Sequence, residues 1–112
     1  MVRGVAAQPP CHPASLNNLA LLLEAMGRYA EAEPLHREAL ELRRVGLPPG
    51  HPDIAASLNN LANLLEAMGR YAEAEPLHRE ALELRRVGLP PGHNAIATSL
   101  NSLANLLNAM GR

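Results

Sequence analysis

The side chains of this 112-residue chain best suited to acid–base or metal chemistry at neutral pH are five histidines. His36 and His78, like His51 and His93, stand 42 residues apart. Equivalent members of a regular array cannot share one metal through bonds of ~2 Å. His-Glu-x-x-His does not occur. His36 and His78 suit a packing position in a second helix, and His12, His51 and His93 sit beside expected helix starts, which suits turn or cap roles. Ser15, Ser57, Ser99 and Ser102 have no acid–base partner at a readable position. The one glycine-rich motif is a turn rather than a phosphate loop. Neither an enzyme nor a metal or cofactor site is expected. Cys11 excludes an internal disulfide, and it reads either as a drifted linker residue or as a thiol for intermolecular pairing or redox chemistry.

Composition narrows the partners. The net charge is −1, so nucleic acid has no basic footprint to meet. Phe and Trp are absent and only Tyr29 and Tyr71 are aromatic, so base-stacking platforms are missing too. Every cation is Arg and none is Lys, a pattern that coding bias explains as readily as function. No apolar run approaches the ~20 residues of a membrane span. Met1–Pro10 has one Arg and no long apolar stretch, a poor signal peptide. The expected compartment is the cytoplasm, with no membrane partner.

The elements that position these side chains follow from a repeat. His51–Gly92 is a complete unit of 42 residues. Ser57–Gly92 differs from Ser15–Gly50 at one position in 36, Leu21 against Asn63. Ser57–Arg70 differs from Ser99–Arg112 at two of 14, where Asn60 becomes Ser102 and Glu66 becomes Asn108. A fixed period in this range signals a stacked array. Recent duplication and consensus design both account for such near identity.

Each unit reads as two helices. Leu58, Leu61, Ala62 and Leu65 form one helical face, as do Ala74, His78, Ala81 and Leu82. Pro52 and Asp53 suit a helix start, and Gly69 a left-handed cap. Pro76 falls early in the second helix, where a mild bend is expected. Glu38, Glu41, Arg37 and Arg43, with their copies, make a mixed-charge outer face. The copies predict five helices, at about 14–26, 30–45, 52–68, 72–87 and 94–110. Pro9-Pro10-Cys11-His12-Pro13 looks like a damaged copy of Pro48–Pro52 that has lost the residues matching Asp53-Ile54-Ala55. Residues 1–13 are therefore read as irregular, and 14–112 as a solenoid with units 14–50, 51–92 and 93–112.

The pattern Leu58-x-x-Leu61-Ala62-x-x-Leu65-x-x-x-Gly69-x-Tyr71-x-x-Ala74-x-x-x-His78-x-x-Ala81-Leu82 resembles the tetratricopeptide repeat. The family's common period is 34. The longer period here, with Leu-Asn-Asn-Leu-Ala, Gly-Arg-Tyr-Ala-Glu-Ala-Glu and Pro-Pro-Gly-His-Pro-Asp, is similar to the kinesin-light-chain subtype. The chain departs at Leu58 and His78, where the family carries aromatics, and unit three lacks the second helix and its tyrosine. The resemblance implies an all-α solenoid of antiparallel helix pairs, two full repeats plus the first helix of a third. It implies a right-handed superhelix whose first helices line a concave groove for an extended peptide or partner helix. It also implies a binding scaffold rather than a catalyst.

By the family pattern the groove should present Asn17, Asn18 and Leu21, then Asn59, Asn60 and Asn63, then Asn101, Ser102 and Asn105. Asn59 and Asn63 are i, i+4 and are expected on one face. A carboxamide donates and accepts, so it can pair with any peptide backbone. Stacked helices ~8–10 Å apart would meet roughly every third residue of a strand rising ~3.3 Å per residue. Three rungs would address about six to eight ligand residues. Glu24 and Glu66 stand where a groove cation would help, which counts against an acidic peptide or terminal carboxylate. The competing reading is that these asparagines are ordinary solvated residues copied by duplication.

The expected function is protein–protein interaction through this groove. The alternative is a structural spacer or self-association segment of a larger multi-repeat regulatory protein, joined head to tail through open ends. Leu100, Leu103 and Leu107 are expected to be covered on one side only.

Overall fold

The structure, a computed structural model, describes residues 12–111. Cys11 and all but His12 and Pro13 of the segment expected to be irregular lie outside the described residues. The described residues form five helices: α1 (Pro13–Ala25), α2 (Tyr29–Gly46), α3 (Pro52–Ala67), α4 (Tyr71–Gly88) and α5 (Asn94–Ala109).

Two different devices start these helices. Ahead of α1, α3 and α5, His12, His51 and His93 are extended and act as N-caps. Their Nδ1 atoms accept the backbone N–H of Ala14, Asp53 and Ala95 at 3.2, 3.1 and 3.0 Å. The imidazole thereby serves an otherwise unpaired helix-start donor, the role usually filled by Ser or Asp. Ahead of α2 and α4, Arg28 and Arg70 make no side-chain cap bond. Each guanidinium instead forks onto the carboxylate three residues on, Glu31 at 2.7 and 2.6 Å and Glu73 at 2.8 and 2.7 Å. The acid also sits favourably at the positive end of the helix dipole.

The ends follow from glycine and proline. After α3, Gly69 takes φ 76°, a conformation with little cost only for glycine. It lets Gly69 N–H reach Glu66 O at 2.9 Å and Arg70 N–H reach Leu65 O at 2.8 Å, the paired bonds of a Schellman cap. After α2 and α4, Leu47 and Leu89 are driven extended by the prolines that follow. Pro34 and Pro76 are the sixth residues of α2 and α4, beyond the first-turn donors that need no partner. The helices run on through them regardless.

Each helix packs chiefly on its neighbours in sequence, and the molecule measures 55 × 34 × 19 Å. Fully buried alanines, Ala20, Ala32, Ala62, Ala74 and Ala81, let the helices approach. Leu64 of α3 packs with Ala20 and Leu23 of α1 and Ala32 of α2. Leu106 of α5 joins the central cluster around Leu58, Leu61, Leu65 and Ala81. Leu103 is also buried, so of the three leucines expected half-covered on α5 it is already enclosed by α4's side of the stack.

Candidate functional site

The same buried constellation is built twice. His36 of α2 and His78 of α4 are fully enclosed. Nε2 of each meets a carboxylate of the preceding helix, Glu24 and Glu66, at 2.5 Å. Nδ1 of each faces an asparagine carbonyl, Asn17 at 3.4 Å and Asn59 at 3.3 Å. An imidazole set between a carboxylate and a carboxamide is held at both ring nitrogens. The histidine thus places in the core a ring that must be hydrogen-bonded there.

This constellation corrects part of the expected groove. Asn17 and Asn59 are only 6% and 8% exposed and are committed to histidine, so they are internal struts rather than ligand contacts. Asn59 and Asn63 do not share an exposed face: Asn59 points into the α3–α4 interface while Asn63 is open to solvent. Glu24 and Glu66 likewise serve the histidines. Asn101, equivalent to Asn59, is exposed: among the described residues no helix packs on that side of α5.

What stays open is a narrower stripe. On α3 the accessible side runs through Ala56, Asn60, Asn63 and Ala67, at spacings of four, three and four, one side of a helix. The matching positions are Asn18 and Leu21 on α1, and Ser102 and Asn105 on α5. Asn18, Leu21, Asn63 and Asn105 are exposed, and Asn60 and Ser102 are half-buried. None of these six is charged.

The serines and outer arginines have structural work. Arg43 donates to Ser57 Oγ at 3.0 Å and to Asp53 O at 3.2 Å, and Arg85 donates to Ser99 Oγ at 2.9 Å and to Ala95 O at 3.2 Å. Each bond pair ties the end of one unit to the first helix of the next. Arg43 is therefore a joint rather than part of a solvated charged face, and burial lowers the pKa of its copy Arg85. A second tie crosses the units on the outside. Arg70 bonds Glu73 and, at 2.6 Å, Glu33, while Arg44 grips Glu80 at 2.9 and 3.1 Å. Glu73 and then Glu33 hold the Arg70 guanidinium further toward its protonated form. The Arg70 guanidinium, ahead of burial and of Arg37, in turn sets the Glu33 carboxyl below its ordinary value.

Two equivalent open clefts lie where α1 and α3 begin, of about 510 and 300 Å³. The larger borders His12, Pro13, Leu42 and Leu47; the smaller includes Ala55, which unit one lacks. Neither is lined by the asparagine stripe. Among the described residues no group of three or more His, Cys, Asp or Glu is placed to hold a metal, and no helix is long and apolar enough to cross a membrane.

Comparison with known proteins agrees with this architecture. The family model described as tetratricopeptide repeat matches residues 12–87 and again 53–112. No curated protein matches the chain. A solved structure from Podosopora anserina, described as a kinesin light chain with nearly identical TPR-like repeats, superposes with TM-score 0.81 at 26% identity. It covers 93% of this chain and 49% of its own. A point variant of that protein gives TM-score 0.81 and 26% identity over 91% of this chain and 48% of its own. The chain thus spans about half the length of the solved structures it matches. Repeats of this kind generally mediate protein–protein interaction and are typically non-enzymatic scaffolds. The repeated helix pairs, their glycine turns and the double match show that the chain belongs to the tetratricopeptide repeat family, in its kinesin-light-chain-like form.

Proposed function

We propose that the chain binds an extended peptide or partner helix across the open stripe of its first helices, through Asn18, Leu21, Asn60, Asn63, Ser102 and Asn105. The observation that carries this reading is the repetition of uncharged, accessible polar positions on three successive first helices, while their neighbours Asn17 and Asn59 are withdrawn into the core. Asn60 and Asn63 offer both donors and acceptors to a backbone. Leu21, 47% exposed, offers an apolar contact at the end of the stripe. With no charged side chain on the stripe, and Glu24 and Glu66 already paired with histidines, the reading favours a neutral ligand over an acidic one.

The test is selection of peptides against the chain, followed by affinity measurement with an Asn60→Ala/Asn63→Ala double variant. The proposal expects weaker binding, by about tenfold, at unchanged helicity. Equal affinity in the double variant would remove the stripe from the binding account.

A further inference from the structure

We propose that the cleft where α3 starts, α4 ends and α5 starts binds a small organic carboxylate, its acid group on Arg85 and its apolar body against Ala55, Leu84 and Leu89. The cleft holds about 300 Å³, at the lower edge of small-molecule pockets, which span roughly 300–1,000 Å³. Of its lining residues only Arg85 and His93 carry polar side chains. The equivalent cleft one unit earlier is walled by the start of α1, the end of α2 and the start of α3, and no residue of α4 lines it. One helix pair and the first helix of the next unit therefore complete such a cleft, and the second helix of that next unit leaves it open.

Arg85 sets the chemistry of the ligand. Its Nη1 is occupied by Ala95 O at 3.2 Å and Ser99 Oγ at 2.9 Å. Its Nε and Nη2 have no partner among the described residues. That edge of a guanidinium is a fork shaped for a carboxylate, and Arg28 and Arg70 use the same edge to hold Glu31 and Glu73. Glu31, Glu80 and Glu73 raise the pKa values of Arg28, Arg44 and Arg70, whereas burial lowers that of Arg85. A partly buried cation without a counter-ion is stabilised by an anion that reaches it. His93 adds a donor at the wall, because its Nδ1 accepts Ala95 N–H and the ring hydrogen is left on Nε2. The earlier cleft is built alike and differs in charge. Arg43 makes the same two Nη1 bonds there, but Asp53 stands in the wall where the later cleft has Ala95. A carboxylate in the wall repels a carboxylate ligand, so the later cleft is the one that takes the acid.

The experiment titrates the whole chain with isovalerate and, separately, with isovaleramide at constant ionic strength, and follows the Arg85 Nε–H and the Ala55 and Leu89 methyl groups by nuclear magnetic resonance. Isovalerate should give saturable one-to-one shifts at all three, with a Kd of about a millimolar or tighter. The amide, equal in shape and without charge, should bind at least about tenfold more weakly. Ala95→Asp copies the residue of the earlier cleft and keeps the backbone carbonyl that Arg85 holds. It should weaken isovalerate by about tenfold or more at an unchanged melting temperature. Arg85→Lys, which keeps the charge and loses the fork, should weaken it several-fold. Absence of saturable shifts overturns the proposal and leaves Arg85 to water. Equal affinity for acid and amide overturns it too, by assigning the cleft to apolar contact alone. Undiminished isovalerate binding in both variants, or shifts confined to residues outside the cleft, places the acid elsewhere with the same consequence.

Discussion

The first and last helices of the array carry nearly the same residues and hide opposite sides. On α1, Leu16, Asn17, Ala20 and Leu23 are buried against α2, while Leu19 and Leu22 are 47% and 56% exposed. On α5, Leu103 and Leu106 are buried against α4, while Leu100, Asn101 and Ala104 are exposed. Only α3, flanked by α2 and α4, buries both sets. Burial in this molecule therefore belongs to the neighbouring helix, not to the residue. The same leucine is core in one unit and surface in another because apolar area is removed from water only where a partner covers it.

The sharpest way to break the comparison is to truncate equivalent leucines. Leu64→Ala, at a fully buried position, should cost about 2–5 kcal/mol. Leu22→Ala, at the matching exposed one, should stay within about 0.5 kcal/mol. Urea titrations of both variants check this, and equal costs would mean that α1 is covered in solution. The asparagines offer a finer contrast. Asn59→Ala removes the partner of the buried His78 Nδ1 and should cost about 1–3 kcal/mol. Asn101→Ala, with no second helix over it, should cost close to nothing in the same melts.

Helix caps should give a smaller and more uniform effect. His51→Ala removes the acceptor for Asp53 N–H and should cost about 1 kcal/mol. His51→Asn, which can accept the same bond, should restore most of it. The outer ionic tie gives the smallest effect and a signature in pH. Arg70 holds Glu33 below the ordinary carboxylate value of 4.5, so folding favours the ionised form. That contribution is complete above the unfolded value and disappears as pH falls through the lower folded one. The melting temperature should therefore drop as pH is lowered from about 5 to about 3, and Glu33→Gln should flatten that part of the profile. An unchanged profile in Glu33→Gln would assign the acid sensitivity to other carboxylates.

Much of this architecture is legible in the residues alone. The period, the two helical faces, the glycine turns and the capping place of His51 follow from spacing and local conformational preference. The boundaries of α2 and α4 shift by one residue at each end, because Arg28 and Arg70 start helices through ion pairs and because Gly46 and Gly88 continue the helix until a proline forces the chain out. The candidate site was half legible. Helical spacing says that Asn59, Asn60 and Asn63 are near one another, but not which of them faces a helix from the same unit. That depends on where His78 arrives, 19 residues further along. A signal was nevertheless present within the chain: in both units that hold a second helix, Glu24 and Glu66 recur twelve residues ahead of His36 and His78.

The most direct test of the division between strut and stripe is a two-dimensional map of the asparagine side-chain amides, recorded while a peptide selected against the chain is added. The account predicts that signals of Asn18, Asn60, Asn63 and Asn105 shift with saturation while those of Asn17 and Asn59 stay in place. Shifts concentrated on Asn17 and Asn59, or a bound peptide that moves none of the stripe amides, would contradict it.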